Sequence, residues 1–132
     1  MEDITATDLR GFYLGYIDCL NRRDWATLGD FVHADAAHNG TRIGLSGYRE
    51  MLERDVAAIP DLFFDVRMIL CDGPVIASRI HFDCTPVGPL FGLPVNGQRV
   101  RFDENVFYEI EEGRIRRVWS VIDKDAIRQQ IE

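Results

Sequence analysis

The apolar residues of this chain change their spacing once. Leu9, Phe12, Tyr13, Tyr16, Ile17 and Leu20 recur every three or four positions, as on one helix face, with Thr5 or Thr7 as a candidate cap. Asn21-Arg22-Arg23-Asp24 interrupts the pattern, and Asp24 is placed to cap a short second helix carrying Trp25, Leu28, Phe31 and Val32. The segment HADAAHNGTRIGLSG is polar and glycine-rich, which predicts loop or short strand. Ser46 stands where it can cap a third helix, with Tyr48, Met51, Leu52 and Val56 on one side and Pro60 as its stop.

Beyond Pro60 the alternation is that of strands. Leu62 to Leu70 predicts a strand, Asp72-Gly73 a hairpin turn, and Val75 to Thr85 the returning strand. Residues 86–97, PVGPLFGLPVNG, are a proline- and glycine-rich loop that is also apolar. Such a loop is expected to cover something, so Leu90, Phe91 and Leu93 are assigned to the mouth of a cavity. Val100 to Ile110 predicts a long strand, and Glu112-Gly113 turns it into a last strand through Ile115, Val118, Trp119, Val121 and Ile122. At Asp123 the spacing becomes helical again.

Helices first, then a meander of about four strands, then a short helix give an α+β fold. One curved antiparallel sheet wrapped around the N-terminal helices would enclose a single cavity, the usual site of a small ligand. Phe107 is apolar on the face opposite Phe102, Val106 and Tyr108, so both sheet faces call for burial and a homodimer through sheet faces is expected.

Composition narrows the function. The 132 residues, 46% of them hydrophobic, suit a single globular domain over 1–132 with its own core. A net charge of −7 argues against nucleic acid or an anionic membrane as partner. Cys19, Cys71 and Cys84, with His33, His38 and His81, show no paired spacing, so neither a disulfide framework nor a metal site is expected. The opening MEDITATDLR is acidic and polar, unlike a signal peptide, and no apolar run is long enough to span a membrane. A soluble, cytoplasmic protein is the expectation.

Asp123, at the end of an apolar strand, carries two readings. Burial would raise its pKa and make a usable general base or acid. It is equally placed to be the N-cap of the helix from Lys124. The two are compatible. His38 is a candidate donor to a substrate oxygen or a proton-sharing partner of Asp123, against the reading of a structural loop histidine. Asn39 offers an amide donor, or is the turn residue before Gly40. His81 alternates with Ile80 and Phe82 and faces either cavity or solvent. Tyr16 and Trp119 are candidate wall residues, Tyr16 also a core residue by its stripe. Glu104 breaks the apolar face of Val100, Phe102, Val106 and Tyr108, as a pocket acid or at a sheet edge.

Several motifs together resemble the SnoaL-like polyketide cyclases, within the NTF2-like group that also holds ketosteroid isomerase and limonene epoxide hydrolase. They are Asn21-Arg22-Arg23-Asp24-Trp25, His38-Asn39-Gly40, Gly88 to Pro94 followed by Asn96-Gly97, and Gly113-Arg114-Ile115 with Trp119 and Asp123. The resemblance runs over nearly the whole chain. It implies a cone-shaped α+β barrel, usually a homodimer, with a mostly apolar pocket and no metal or organic cofactor. It also places the family's catalytic aspartate at Asp123. Cys84-Thr85-Pro86 stands where Gly-Thr-His is common, and Glu109 where an arginine is common. The implied function is cofactor-free acid/base ring closure on a small apolar, polyketide-like carbonyl compound. The alternatives are an epoxide hydrolase- or isomerase-like enzyme, or a non-catalytic small-molecule-binding protein.

Overall fold

The structure is a computed structural model, and it describes residues 6–132. A cap at Thr5 lies outside the described residues, and Thr7 falls within the first helix. Helix α1 spans Ala6–Asn21, and a 3-10 turn spans Trp25–Asp30. Strands β1 (Val32–His38) and β2 (Thr41–Arg42) precede helix α2 (Gly44–Ala58). Strands β3 (Asp65–Asp72), β4 (Val75–Cys84), β5 (Val100–Glu111) and β6 (Arg114–Ile122) lead to helix α3 (Lys124–Ile131).

The six strands form one sheet in the order β2-β1-β6-β5-β4-β3. The run from β3 to β6 is the antiparallel meander expected from the alternation after Pro60. The segment read as loop or short strand forms β1, which begins at Val32 and not in a second helix, and which joins β6 in parallel, a pairing the sequence did not show, with His38 opposite Val118. Its signal is weak because only Val32 and Ala36 turn inward and are buried, and Ala36 contributes little apolar surface.

The helices cover one face of the sheet. On α1, Leu9, Tyr13, Tyr16, Ile17 and Leu20 are buried, as their spacing predicts. On β4, Ile76, Ile80, Phe82 and Cys84 turn to the same core, while Ala77, Arg79, His81 and Asp83 face out. Asn21 ties the end of α1 to the chain entering β3: its side chain accepts from Phe64 N at 2.8 Å and donates to Phe64 O at 3.2 Å. That double bond accounts for the break after the first helix.

Two cap assignments are corrected. Asp24 makes no side-chain cap to the 3-10 turn, because its carboxylate is engaged by Arg22. Helix α2 starts at Gly44, two residues before Ser46, and Ile43 in the cap position makes no side-chain cap bond. Gly44 has φ 68°, and a Cβ there would stand 3.1 Å from the Ala34 carbonyl, so glycine sets the start of this helix. No helix among the described residues is long and apolar enough to cross a membrane.

Candidate functional site

Parallel pairing of β1 with β6 brings the C-terminal ends of both strands to the same end of the sheet. A groove of about 800 Å³ opens there. His38 and Asn39 line it from the end of β1, Ser120 and Ile122 from β6, and Asp123 and Lys124 from the start of α3. Phe91, from the loop after β4, forms another wall. His38 and Asp123, far apart in sequence, therefore share one surface.

Asp123 is the N-cap of α3: its carboxylate accepts from Ala126 N at 3.1 Å. Its own N–H donates to the Asp103 carbonyl at 3.0 Å, fixing where the strand gives way to the helix. The carboxyl group is exposed, not shielded from water as its apolar neighbours suggested. The cause is strand alternation: Val121 turns outward, and the chain leaves the sheet at Asp123. One carboxylate oxygen engaged in the cap leaves the other free to accept from the groove.

His38 is half-buried in the groove, and burial lowers its pKa, favouring the neutral imidazole. Its ring makes no hydrogen bond to other described residues, Asp123 included. Asn39 is a turn residue with φ 48°. Its side chain accepts from Ser120 N at 2.8 Å and donates to Ser120 O at 3.3 Å, continuing the ladder past the end of β1. Its amide is thus largely committed to structure.

Beyond Phe91 and Ile122 lies a second, narrower pocket of about 90 Å³, and these two residues line both spaces. Its walls are apolar: Leu62, Phe64, Phe82, Leu90 and Phe102. Two carboxylates face it, Glu104 from β5 and Asp55 from α2. Burial raises the Glu104 pKa, the Asp55 charge adds to the rise, and the Ser120 hydroxyl opposes it. Asp55 keeps access to solvent at the pocket rim, yet protein surrounds its carboxyl closely enough that desolvation pushes its pKa up to about 6, against the opposing charge of Arg54. Glu104 is therefore a pocket acid and not a sheet-edge charge. Asp55 escaped the sequence reading, although a signal was present: it follows Tyr48 and Leu52 at helical spacing, at the exposed margin of their buried stripe.

The loop 86–97 covers the pocket as expected, with one difference. Leu90 is buried in the pocket wall and Phe91 spans both spaces. Phe91 and Gly92 both have positive φ, and Leu90 and Leu93 exchange backbone bonds at 2.9 and 2.8 Å, a tight two-residue turn. That turn aims Leu93 away from the groove and the inner pocket and onto the core.

Three further residues stand elsewhere. Tyr16 is buried in the core, where its hydroxyl meets that of Tyr48 at 2.5 Å. His81 faces outward by the alternation of β4, and its Nδ1 meets Asp103 Oδ1 at 2.8 Å. Trp119 also turns outward, because Val118 beside it takes the inward position on β6. It stands in register with Phe107, Ala77 and Leu70 across four strands, an apolar row on the outer face. Among the described residues no group of three His, Cys, Asp or Glu side chains is placed to hold a metal ion.

The family model of the SnoaL-like polyketide cyclases matches residues 11–131. The chain belongs to this family. It is similar to a SnoaL-like polyketide cyclase from Agrobacterium tumefaciens, 48% identical over 100% of both chains, with a TM-score of 0.92. Its fold also matches that of AclR, a proposed hydroxylase from Streptomyces galilaeus, at 21% identity and TM-score 0.78 over 96% of this chain and 97% of that one. The fold of IdmH, a proposed polyketide cyclase from Streptomyces antibioticus, matches at 21% identity and TM-score 0.79, over 92% and 96%. No curated protein matches the chain. Within this SnoaL-like fold, the groove and inner pocket lie between the curved sheet, α2 and α3.

Proposed function

We propose that this SnoaL-like chain is a cofactor-free acid/base enzyme that closes a ring on a small apolar carbonyl compound. The observation that carries the reading is a groove lined by His38 and Asp123 beside a mostly apolar pocket, with Phe91 and Ile122 in the walls of both. Family membership supports the reaction class. Ring closure needs a base for a carbon acid and hydrogen-bond donors for the oxyanion that follows.

Asp123 takes the proton from a carbon beside a carbonyl. The resulting enolate carbon forms a bond to a second carbonyl, whose oxygen then takes up a proton, which Asp123 can return. Neutral His38 donates to a substrate oxygen in the groove. The apolar part of the substrate fills the inner pocket. The enzyme works as a cytoplasmic homodimer, its subunits joined over the outer apolar row that ends at Trp119.

A ligand carrier with the same pocket is the second reading, favoured by one observation: the Asp123 carboxylate already serves as a helix cap. The two separate on turnover. Asp123→Asn keeps the cap, since Asn caps about as well as Asp. The enzyme reading expects a folded variant whose ring closure of a polyketide-type substrate falls by roughly a hundredfold or more. Unchanged turnover would overturn it.

A further inference from the structure

The inner pocket holds more acid than packing needs. Its wall is made of aromatic and aliphatic side chains, yet two carboxyl groups from different elements converge on about 90 Å³ of space. That volume suits a single six-membered ring. A carboxyl group in such a wall is costly to bury unless it stays neutral or meets a polar partner. Glu104 stands midway along the inner face of β5, half-buried between the buried Phe102 and Val106, so its carboxyl is held on the pocket side of the sheet.

We infer that Glu104, in its carboxylic acid form, donates a hydrogen bond to the carbonyl oxygen of an uncharged one-ring apolar ketone seated in the inner pocket, with Asp55 at the pocket rim as its acidic neighbour. Glu104 then supplies the oxyanion donor inside the pocket while Asp123 works from the groove. This assignment rests on the proposed ring closure for the role of the ketone, but not for its binding.

The surroundings fit an acid that keeps its proton. The titratable groups that interact electrostatically with Glu104 are Asp55 and Tyr48 from α2, Tyr13 and Tyr16 from α1, and Tyr108 from its own strand. The four tyrosines are raised above their ordinary value by burial and remain neutral. Ser120 on β6 is the group that favours the charged form, and among the described residues no cation contributes to the shift of Glu104. Arg54 acts on Asp55, and Lys124 lies over the Phe91 ring, 5.8 Å from its centroid. An anionic ligand group would meet two carboxyls here, so the pocket selects uncharged oxygen.

Acetophenone and ethylbenzene, alike in size but differing in the carbonyl, serve as probes. Binding is measured by calorimetry from pH 5 to pH 9, and the bound carbonyl stretch by infrared difference spectroscopy. The expected result is acetophenone bound in preference to ethylbenzene at low pH, with its carbonyl stretch lowered. Its affinity falls roughly tenfold as the acid ionises, the scale of one good hydrogen bond. Glu104→Gln, which keeps a donor but has no titratable proton, binds acetophenone without that pH dependence. Asp55→Asn moves the midpoint to lower pH. Wild-type binding that ignores pH, equal affinity for both probes, no binding of either, or the same pH dependence in Glu104→Gln would each overturn the assignment. Asp123→Asn separates this from the proposed reaction: probe binding should persist in that variant even where turnover is lost.

Discussion

Phe91 and Ile122 stand together at the boundary of the outer groove and the inner pocket, and each lines both. Phe91 comes from a tight turn with two positive φ angles, whereas Ile122 ends a strand paired with Glu104. Of the two boundary residues, one is therefore a loop side chain and the other is fixed by the sheet. Phe91 packs edge-on against Phe102, with ring centroids 6.1 Å apart. It is still 40% exposed, so removing it takes away a wall shared by the two spaces without hollowing the core. Phe91→Ala should cost stability by no more than about 2 kcal/mol, below the range for a buried Phe. Binding of single-ring ligands should weaken, read by denaturant unfolding and titration.

The paired hydroxyls of Tyr16 and Tyr48 give a prediction about the core. Both rings are buried, and each hydroxyl is the other's partner. Tyr16→Phe or Tyr48→Phe alone leaves one buried hydroxyl unmatched and should cost about 1–3 kcal/mol. The double variant removes both ends of the bond and should be clearly more stable than the sum of the single losses predicts. Strict additivity in urea denaturation would count against this arrangement.

Asp55 makes stability depend on pH in a defined direction. Its folded pKa, about 6, lies above the ordinary 3.8, so the native state holds the proton more tightly than the unfolded chain. That contribution is full below the unfolded value and is lost as pH rises through about 6. Asp55→Asn should therefore gain stability relative to wild type as pH climbs across this window. The difference between the two thermal unfolding curves, measured from pH 4 to pH 8, reports it.

The outer row of Leu70, Ala77, Phe107 and Trp119 supports the expected dimer. Leu70 is 64% exposed, Phe107 53% and Trp119 42%, on adjacent strands in register. Apolar side chains so arranged are a common mark of a protein interface. Wild-type protein should run as a dimer in light scattering at micromolar concentration. Phe107→Arg with Trp119→Arg should run as a folded monomer.

The periodicity of the chain was enough to place α1 and the meander from β3 to β6, because burial on one face forces a spacing that sequence displays directly. It also determined that Glu104 is anomalous, since one carboxylate among Phe102, Val106 and Tyr108 breaks a strand pattern. The alternation of β6 was equally visible, but not which set of its residues faces inward, and so Trp119 was assigned to the wrong side. Only the tertiary structure decided that β1 lies parallel to β6, which carries His38 to Asp123, because strand pairing depends on partners distant in sequence. It also decided that Asp55 meets Glu104 across one pocket, since each carboxylate reads locally as a single exception and only packing makes them a pair. Exposure at Asp123 was settled in the same way: the chain leaves the sheet there, and no run of neighbouring residues records where water reaches.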